Sequence, residues 1–347
     1  MDGKNKDNEL IEILKLFSPG TSIRTALDDL LRARMGALIV IDKDNLINIV
    51  DGGFRVNSKF SSQRLVELAK MDGAIILSSD LKKILYANTL LFPDVRLSTK
   101  ETGTRHKAAE RTAKQMKTIV IAVSERKNKI TLYFEDIKYE LEGSSEILRR
   151  ATETLQILEK QKEMLDDLLI NLNVLEINNI ATISDICGIL QRIEIINRIS
   201  DTVKRYLVEL GKEGFIISMR LKELTRNLNQ ERRMILEDYF DSRLSKVDLI
   251  LSNMNFDVML DTTNLLKELF GEIHDKSISP SGLRILRKIN LNGENLEILI
   301  NNFESLDNIF SVKKEDLIKI FKDENFAGSI KHDLDSLREK IMGGKKV

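Results

Sequence analysis

The sequence has very little cysteine, proline, histidine or tryptophan, and each shortage excludes a class of protein. Among its 347 residues are one cysteine, three prolines, three histidines and no tryptophan. The single cysteine, Cys187, excludes an internal disulfide and a cysteine-rich zinc site, which fits a reducing compartment. Three histidines, His106, His274 and His332, are too few for a histidine-rich metal centre. The scarcity of proline is typical of a helix-rich chain.

The charge balance and the lack of long hydrophobic runs exclude further classes of protein. Lys plus Arg and Asp plus Glu number 54 each, so no overall charge marks the chain for nucleic acid or an anionic membrane. No run of about 18 apolar residues occurs, and the opening MDGKNKDNEL contains no apolar signal core. We therefore expect a soluble protein of the cytoplasm with no membrane partner.

Known nucleotide and hydrolase motifs are also missing. The sequence contains no GxxxxGK[ST], no GxGxxG and no HExxH. A P-loop, a dinucleotide-binding fold and a zinc protease are therefore not supported.

Residues 1–143 predict a compact domain of the α/β or α+β class. Three runs, 36–41, 73–78 and 118–124, are apolar on both faces, as in strands of a covered sheet. Residues 129–141 predict a further strand or a hairpin that turns near Glu135 and Asp136. Two amphipathic helices are expected at 21–35 and 61–71, each opened by Ser or Thr.

From residue 144 the pattern becomes helical, and the whole chain is predicted to be a multidomain α+β protein. A narrow stripe of Leu and Ala, interrupted by Lys162, predicts a long coiled-coil-like helix, and a second helix is expected from about 184 to 211. We assign 144–275 to an all-helical spine whose expected role is structural or oligomerising. Residues 275–286 have the Ser, Pro and Gly content of a linker. Short helices over 281–347 predict a small C-terminal helical domain.

The run Arg105-His106-Lys107 is unusual for its position. Thr104 is the expected N-cap of a helix, so three potentially cationic side chains fall in the first turn, where the helix dipole disfavours them. A bound anion such as a polyphosphate would reverse that penalty; the alternative is that the side chains simply extend into solvent. Asp72-Gly73 precedes a buried strand and could hold a divalent cation or a ribose hydroxyl, although Asp-Gly is also an ordinary turn.

The motifs MDGAIIL and TGTRHKAAERTAKQ, with GALIV, DGGF, AVSERKN and ITLY in the same order, resemble the diadenylate cyclase domain. This resemblance implies that the N-terminal region is an α/β domain with a mixed sheet. With the long helical region and the C-terminal helices, the whole chain is similar to the DNA integrity scanning family of bacteria. This resemblance implies the condensation of two ATP molecules into cyclic di-AMP plus two pyrophosphates. Two cyclase domains must face each other, and the family assembles as a homo-octamer.

The resemblance also implies roles for residues. Asp72 is the catalytic carboxylate and, with Mg²⁺ or Mn²⁺ as cofactor, the metal ligand. The residues implied to bind ATP are Gly73, Ala74, Leu91, Thr104, Arg105, His106, Lys107, Ala108, Ser124, Arg126 and Lys127.

Three departures from the family pattern are visible. Lys107 and Ala108 stand where Arg and Thr are usual, and Lys127 where Arg is common, so a bidentate fork and a hydroxyl are lost from the phosphate grip.

The C-terminal domain, 281–347, resembles a helix-hairpin-helix unit that grips DNA through a glycine-bearing turn. Here Asp323, Glu324 and Asn325 occupy that turn, and residues 280–347 carry 12 Lys and Arg against 11 Asp and Glu. The sequence therefore predicts a retained fold with weakened binding to branched DNA. The alternative function is a DNA-associated structural scaffold whose nucleotide domain only senses ATP.

Overall fold

The computed structural model describes residues 2–43, 46–240, 243–271, 275–289, 291–303 and 305–345, with the backbone alone described for 2–8. His274 lies outside these ranges. The chain separates into two compact units, 1–152 with 204–218, and 153–203 with 219–347.

Unit 1 contains a mixed β-sheet and its covering helices. The helices are α1 (Asp2–Leu16), α2 (Ser22–Arg32), α3 (Ser62–Leu68) and α4 (Thr104–Met116), with a 3-10 helix at Leu46–Ile49. The strands are β1 (Ala37–Ile41), β2 (Val50–Asp51), β3 (Phe54–Lys59), β4 (Ala74–Leu77), β5 (Lys83–Leu91), β6 (Val120–Ser124), β7 (Lys129–Phe134) and β8 (Ile137–Leu141).

Within the described residues these eight strands form one sheet in the order β2-β5-β4-β1-β6-β7-β8, with β3 also paired to β5. Only the pairing of β1 with β4 is parallel among the described strand pairs. The mixed sheet predicted for this region is confirmed, as is the hairpin of β7 and β8, whose turn places Glu135 at φ 48°.

Alternate residues of the central strands pack into two separate hydrophobic cores, one on each face of the sheet. In β1, Ile39 and Ile41 pack with Phe17, Leu27 and other residues of α1, α2 and α3 on one face. Leu38 and Val40 pack on the other face with α4, through Ala109 and Ala113, and with the 3-10 helix. This is why the predicted strands are apolar on both faces.

Strands β3 and β5 are not anticipated by the sequence pattern. Their pairing shifts register, and each contains an asparagine with positive φ, Asn57 at 42° and Asn88 at 55°. Much of β3 is exposed, so neither strand shows the continuous apolar run of a strand covered on both faces.

Two long helices have residues in both units, α5 (Ser144–Ile177) and α6 (Ile183–Leu210). They confirm the two predicted helices of the spine. In the predicted stripe of α5, Ala151, Leu158 and Leu165 are fully buried, whereas Leu148 is 40% exposed. Lys162, which interrupts the stripe, pairs with Asp166 at 2.8 Å.

The remaining helices follow α6 after a 3-10 helix at Gly211–Gly214. They are α7 (Phe215–Leu224), α8 (Leu228–Phe240), α9 (Leu244–Asn253), α10 (Phe256–Met259), α11 (Thr262–Phe270), α12 (Leu283–Leu286), α13 (Gly293–Asn302), α14 (Leu306–Ser311), α15 (Lys314–Phe321) and α16 (Glu324–Met342). A core including Leu286, Leu299, Phe310, Leu317 and Leu334 joins α12 to α16. In the described part of the chain, no helix has both the length and the apolar character to cross a bilayer.

The segment 275–286, whose composition predicts a linker, is anchored within unit 2. The Arg284 guanidinium donates to Glu176 of α5 at 2.6 Å, and its backbone N–H donates to Asp238 of α8 at 3.0 Å. Tyr239 also donates to Glu176, at 2.6 Å. The segment has the composition of a linker because it is mostly irregular. The buried side chain and backbone of Arg284 nevertheless bond it to α5 and α8.

Candidate functional site

A pocket of about 810 Å³ opens at one edge of the sheet in unit 1. Strands β1 and β4 begin at this edge, and β5 and β6 end there, because β4 runs parallel to β1 and antiparallel to β5. The N-terminus of α4 and the turn after β6 complete the walls. The pocket is thus assembled from five segments that are separate in sequence.

The turn into β4 requires glycine. Gly73 has φ 91°, and a Cβ there would lie 2.7 Å from the carbonyl oxygen of Thr89 and 2.9 Å from the carbonyl carbon of Asn88. Thr89, buried in β5, donates its hydroxyl to the carbonyl of Ala74 at 2.9 Å. These contacts hold β4 and β5 close together, so that Gly73 and Ala74 form a smooth wall of the pocket.

Helix α4 begins without a side-chain cap. Its N-cap is Gly103, one residue before the predicted Thr104, which is instead the first helical residue. The prediction of Thr104 as N-cap is therefore wrong. The helix begins one residue earlier than expected, so the N-cap position falls on Gly103, which has no side chain that could accept an N–H. No acidic residue lies in the first turn. The first N–H groups of α4 therefore stay available to a ligand at the pocket.

The three cations of this first turn lack partners. Among the described residues, the side chains of Arg105, His106 and Lys107 make no hydrogen bond or ion pair. Later in the same helix, Arg111 donates to the carbonyl of Leu97 at 2.9 Å and Lys114 pairs with Glu110 at 2.7 Å. The cations that carry no partner are those at the pocket end of the helix.

Arg105 lies directly against Gly36, the residue before β1. A Cβ at position 36 would overlap the Arg105 guanidinium. Gly36 therefore makes room for Arg105 beside the sheet, where the guanidinium lines the pocket.

His106 stands edge-on to Tyr133, with ring centroids 6.4 Å apart and an interplanar angle of 77°. Burial lowers the pKa of His106 below its ordinary range, the Glu101 carboxylate opposes that shift, and Lys127, Arg105 and Lys138 add to it. The ring is therefore readily neutral until an anion approaches it.

Glu101 is a pocket carboxylate that the sequence analysis does not select. Its Oε1 accepts from Tyr133 at 3.0 Å and pairs with Lys138 Nζ at 2.6 Å. Burial raises the pKa of Glu101, but the hydrogen bonds from Lys138 and Tyr133 outweigh it and lower the pKa overall. Burial and Glu101 together raise the pKa of Tyr133. Glu101 is therefore ionised and already neutralised by Lys138.

The turn after β6 supplies further charge. Ser124 accepts the backbone N–H of Lys127 at 3.2 Å, which shapes the turn and leaves Arg126 and Lys127 exposed at the pocket.

Most of the predicted site residues come together in this pocket. Its walls include Gly73, Ala74, Leu91, Thr104, Arg105, His106, Ala108, Ser124, Arg126 and Lys127. Asp72 and Lys107 are not part of the walls: Asp72 is exposed and precedes Gly73, and Lys107 is half-buried. Wall residues that the sequence analysis does not select are Leu38, Thr89, Leu90, Glu101, Thr102, Gly103 and Glu125. Of these, Thr102 and Gly103 lie inside the TGTRH motif and could have been selected from it.

The residues present fit one way of holding a divalent cation. In the described part of the chain, no three His, Cys, Asp or Glu side chains are grouped as ligands for a metal. Mg²⁺ is commonly bound through one or two carboxylates together with substrate phosphates. A single exposed carboxylate, Asp72, next to the pocket residue Gly73 matches that donor set.

Two family models match most of the chain. Residues 24–137 match the family described as "DisA bacterial checkpoint controller nucleotide-binding", and residues 141–272 match "DisA bacterial checkpoint controller linker region".

Full-length relatives agree with these matches. The chain is 42% identical over 350 residues to the DNA integrity scanning protein DisA of Clostridium acetobutylicum, covering 99% of this chain and 98% of that protein. It is 43% identical over 346 residues to the DisA of Clostridium botulinum strain Loch Maree, covering 97% and 98%. It is 43% identical over 323 residues to the DisA of Acetivibrio thermocellus, covering 90% of each. The likeness extends across the sheet and the helical region alike.

Proposed function

Because the chain belongs to the DNA integrity scanning family of bacterial diadenylate cyclases, we propose which of its residues hold ATP and carry out the condensation. The reaction of the family joins two ATP molecules into cyclic di-AMP and releases two pyrophosphates, and this chain is a diadenylate cyclase. We assign the nucleotide and the metal that serve this reaction to the pocket of unit 1 and the residues beside it.

The triphosphate binds at the N-terminus of α4. Open N–H groups, the helix dipole and the unpartnered basic side chains Arg105 and Lys107 all attract the same anion, and His106 can join them by taking up a proton as the anion approaches. Arg126 and Lys127 add charge from the turn after β6, and Ser124 and Thr104 offer hydroxyls. The absence of a cap and of carboxylate partners from this first turn, among the described residues, is the observation that carries the proposal.

The nucleoside occupies the part of the pocket nearer the sheet. Gly73 and Ala74 line it without bulk, Ala108 borders it from α4, and Leu91 packs near the base. This arrangement directs the ribose toward the end of the pocket where Asp72 adjoins Gly73 in the chain.

Asp72 accepts the proton of the 3′-hydroxyl as that oxygen attacks the α-phosphate of the other ATP. A P–O bond forms and the bond to pyrophosphate breaks, so charge develops on phosphate oxygens near the cations of α4. Asp72 is the residue that would hold Mg²⁺ or Mn²⁺, and the cation would supply positive charge that favours departure of pyrophosphate. The remaining catalysis is placement of the two nucleotides.

A single pocket supplies one ATP, so two cyclase domains must face each other. Asp72 is exposed rather than enclosed in its own pocket, which suits a carboxylate that acts where two subunits meet. We place the subunits in a homo-octamer built from such pairs, with the helical region as the element that holds them.

The chain is divided into the cyclase domain at 1–143, the helical spine at 144–275 and a helix-hairpin-helix-like domain at 281–347. The protein acts in the cytoplasm, and the names of its relatives suggest a role in DNA damage and repair. Branched DNA is a partner that this chain binds weakly, because Asp323 occupies N–H groups of the turn that would contact phosphates.

Replacing Asp72 by Asn tests the catalytic assignment. ATP binding should change little, whereas cyclic di-AMP formation with Mg²⁺ or Mn²⁺ should fall by about a hundredfold or more, because the carboxylate's charge is lost with little change in shape. Product is measured by chromatography and ATP affinity by calorimetric titration. Asp136→Asn, an equal change at an exposed turn, is the matched control.

The complementary variant is Arg105→Ala with His106→Ala. This double variant should have a lower affinity for ATP, and its rate of cyclic di-AMP formation should fall as a consequence. If Asp72→Asn forms product at the wild-type rate, or if the double variant binds ATP normally, the corresponding role is wrong.

A further inference from the structure

One carboxylate in the pocket of unit 1 has no part in the proposed reaction. Glu101 lines the pocket from the loop that leads into α4, with its side chain only 11% exposed. The other acidic residue of the walls, Glu125, is exposed at the turn after β6. A mostly buried negative charge beside groups that bind phosphate repels the ligand, so the presence of Glu101 needs a physical reason.

Contacts from three elements fix the position of Glu101. Its Oε1 accepts from the hydroxyl of Tyr133 on β7 at 3.0 Å and pairs with Nζ of Lys138 on β8 at 2.6 Å. Its backbone N–H donates to Oγ1 of Thr99 at 3.1 Å, and the Thr99 hydroxyl donates to Glu110 of α4 at 2.5 Å. The carboxylate is therefore held at the pocket wall before any nucleotide enters.

Lys138 is the cation that this carboxylate holds. Its side chain is 47% exposed, and it is not one of the described residues of the pocket walls. A lysine side chain is long and flexible and binds phosphate as a point charge. Released from Glu101, Lys138 would be near enough to bind phosphates in the pocket, since its Nζ already contacts a wall residue. Glu140, two residues along β8, is itself paired with Lys129 at 2.6 Å.

We propose that Glu101 is a positioning residue of the cyclase reaction, which holds Lys138 away from the triphosphate so that α4 and the turn after β6 alone receive the phosphates. This inference rests on the proposed placement of the triphosphate at α4. Without Glu101, a further cation would draw the phosphates toward β8 and move the α-phosphate away from the attacking hydroxyl. It would also bind pyrophosphate more tightly, and pyrophosphate must leave in every turnover.

Three variants of the full chain separate this role from a merely structural one. They are Glu101→Gln, Lys138→Gln, and the two substitutions combined. Glutamine at position 101 still accepts a hydrogen bond from Tyr133, so Glu101→Gln removes the charge and keeps that contact. The matched control is Glu12→Gln, which removes an equal charge and releases Lys15 from an exposed pair on α1, outside the pocket.

Sodium pyrophosphate is titrated calorimetrically in the presence of Mg²⁺, and kcat is measured from cyclic di-AMP formation. Glu101→Gln should bind pyrophosphate about fivefold more tightly than wild type while its kcat falls about tenfold. Lys138→Gln should bind it about fivefold more weakly, because Glu101 is then unneutralised. The combined variant has no net change in charge and should return to within about twofold of wild type in both measurements. Glu12→Gln should match wild type.

Opposite effects of the two single substitutions support the proposal, because loss of a merely structural contact would change binding in the same direction in both. Unchanged or weaker pyrophosphate binding in Glu101→Gln overturns it. If Glu101→Gln does not fold, Lys138→Gln decides alone, and wild-type affinity in that variant overturns the proposal.

The variant with Arg105→Ala and His106→Ala distinguishes the two levels of failure. If it binds pyrophosphate as wild type does, the placement of phosphate at α4 is wrong and the role of Glu101 falls with it. If it loses pyrophosphate binding while Glu101→Gln matches wild type, only the role of Glu101 is wrong.

Discussion

Two helix N-termini in this chain, those of α4 and α16, satisfy their first N–H groups in opposite ways. At α4 the N-cap is Gly103, the first turn holds no acid, and three basic side chains follow. At α16 the N-cap is Asp323, whose carboxylate accepts the N–H groups of Asn325 at 2.9 Å and Phe326 at 3.0 Å. One residue at the N-cap therefore decides whether the first N–H groups of a helix stay open, as in α4, or are capped by the chain's own carboxylate, as in α16.

The surroundings of α16 reinforce this difference. Lys314 pairs with Glu324 at 3.1 Å, and Lys319 pairs with Asp316 at 2.8 Å. These exposed pairs contribute little to stability, but they reduce the positive field near the turn. Asp323 therefore occupies the N–H groups that a DNA phosphate would need, and for this reason we expect DNA binding to be weak.

Gly103→Asp should make α4 resemble α16 and has the largest expected effect of the three changes. A Cβ at 103 would lie an ordinary 3.6 Å from Nδ1 of His106, so the change is sterically tolerated. The new carboxylate should occupy the open N–H groups and repel the triphosphate. We expect ATP affinity to fall by about a hundredfold, and the helix to gain about 1 kcal/mol from its new cap.

Calorimetric ATP titration and thermal unfolding measure both effects. Gly103→Asn caps the helix without a charge, so it should lose less affinity than Gly103→Asp. Wild-type ATP affinity in Gly103→Asp would contradict the placement of phosphate at α4.

Asp323→Gly makes the converse change. Freeing the N–H groups of Asn325 and Phe326 should strengthen binding to a four-way DNA junction at about 0.15 M salt by about tenfold, with a steeper dependence on salt. Glycine is an acceptable N-cap, so the helix should lose only a few tenths of a kcal/mol. Glu315→Gln removes an equal charge from exposed α15 without freeing any N–H. An equal gain in both variants would show that net charge, and not the cap, limits DNA binding.

The smallest expected effect concerns the pH dependence of ATP binding at α4. The pKa of His106 lies below its ordinary range because of burial, against the opposing Glu101 and with Lys127, Arg105 and Lys138 nearby. An anion favours the charged ring and raises that pKa, so ATP affinity should rise as pH falls from about 8 through the ordinary histidine range near 6.5.

The rise should be about threefold or less, and His106→Gln should reduce it when both proteins are titrated with ATP across that range. The part that remains in His106→Gln belongs to the nucleotide itself. An identical pH profile in the two proteins would assign the phosphate grip to Arg105 and the open N–H groups alone.

The sequence pattern predicts the strands that are covered by apolar side chains on both faces, and it misses the strands that are partly exposed. Strands β1, β4 and β6 are recognisable because both faces are covered. Strand β5 is not, since Asn88 breaks its regular conformation. Within the site, the TGTRH motif marks the cationic turn correctly, because those residues are contiguous.

Contacts across long separations cannot be predicted in the same way. The role of Glu101 depends on its contacts with Tyr133 and Lys138, more than 30 residues later. The need for glycine at position 36 likewise depends on Arg105, which lies against it. No local spacing links such pairs, so the sequence pattern identifies the cationic turn of α4 but not the distant side chains that contact it.

The buried pair of Arg284 and Glu176 determines where the chain can be cut. A truncation at residue 280, which the linker-like composition invites, would remove the partner of Glu176 and the backbone donor to Asp238, leaving two carboxylates in the interior of unit 2. Burial already raises the pKa of both acids, so without Arg284 each would tend to take up a proton or draw water inward. If such a fragment lost cyclase activity, the cause would be damage to the helical region and not the loss of the C-terminal helices themselves. A deletion that starts beyond residue 289 keeps Arg284 in place and so separates the two causes.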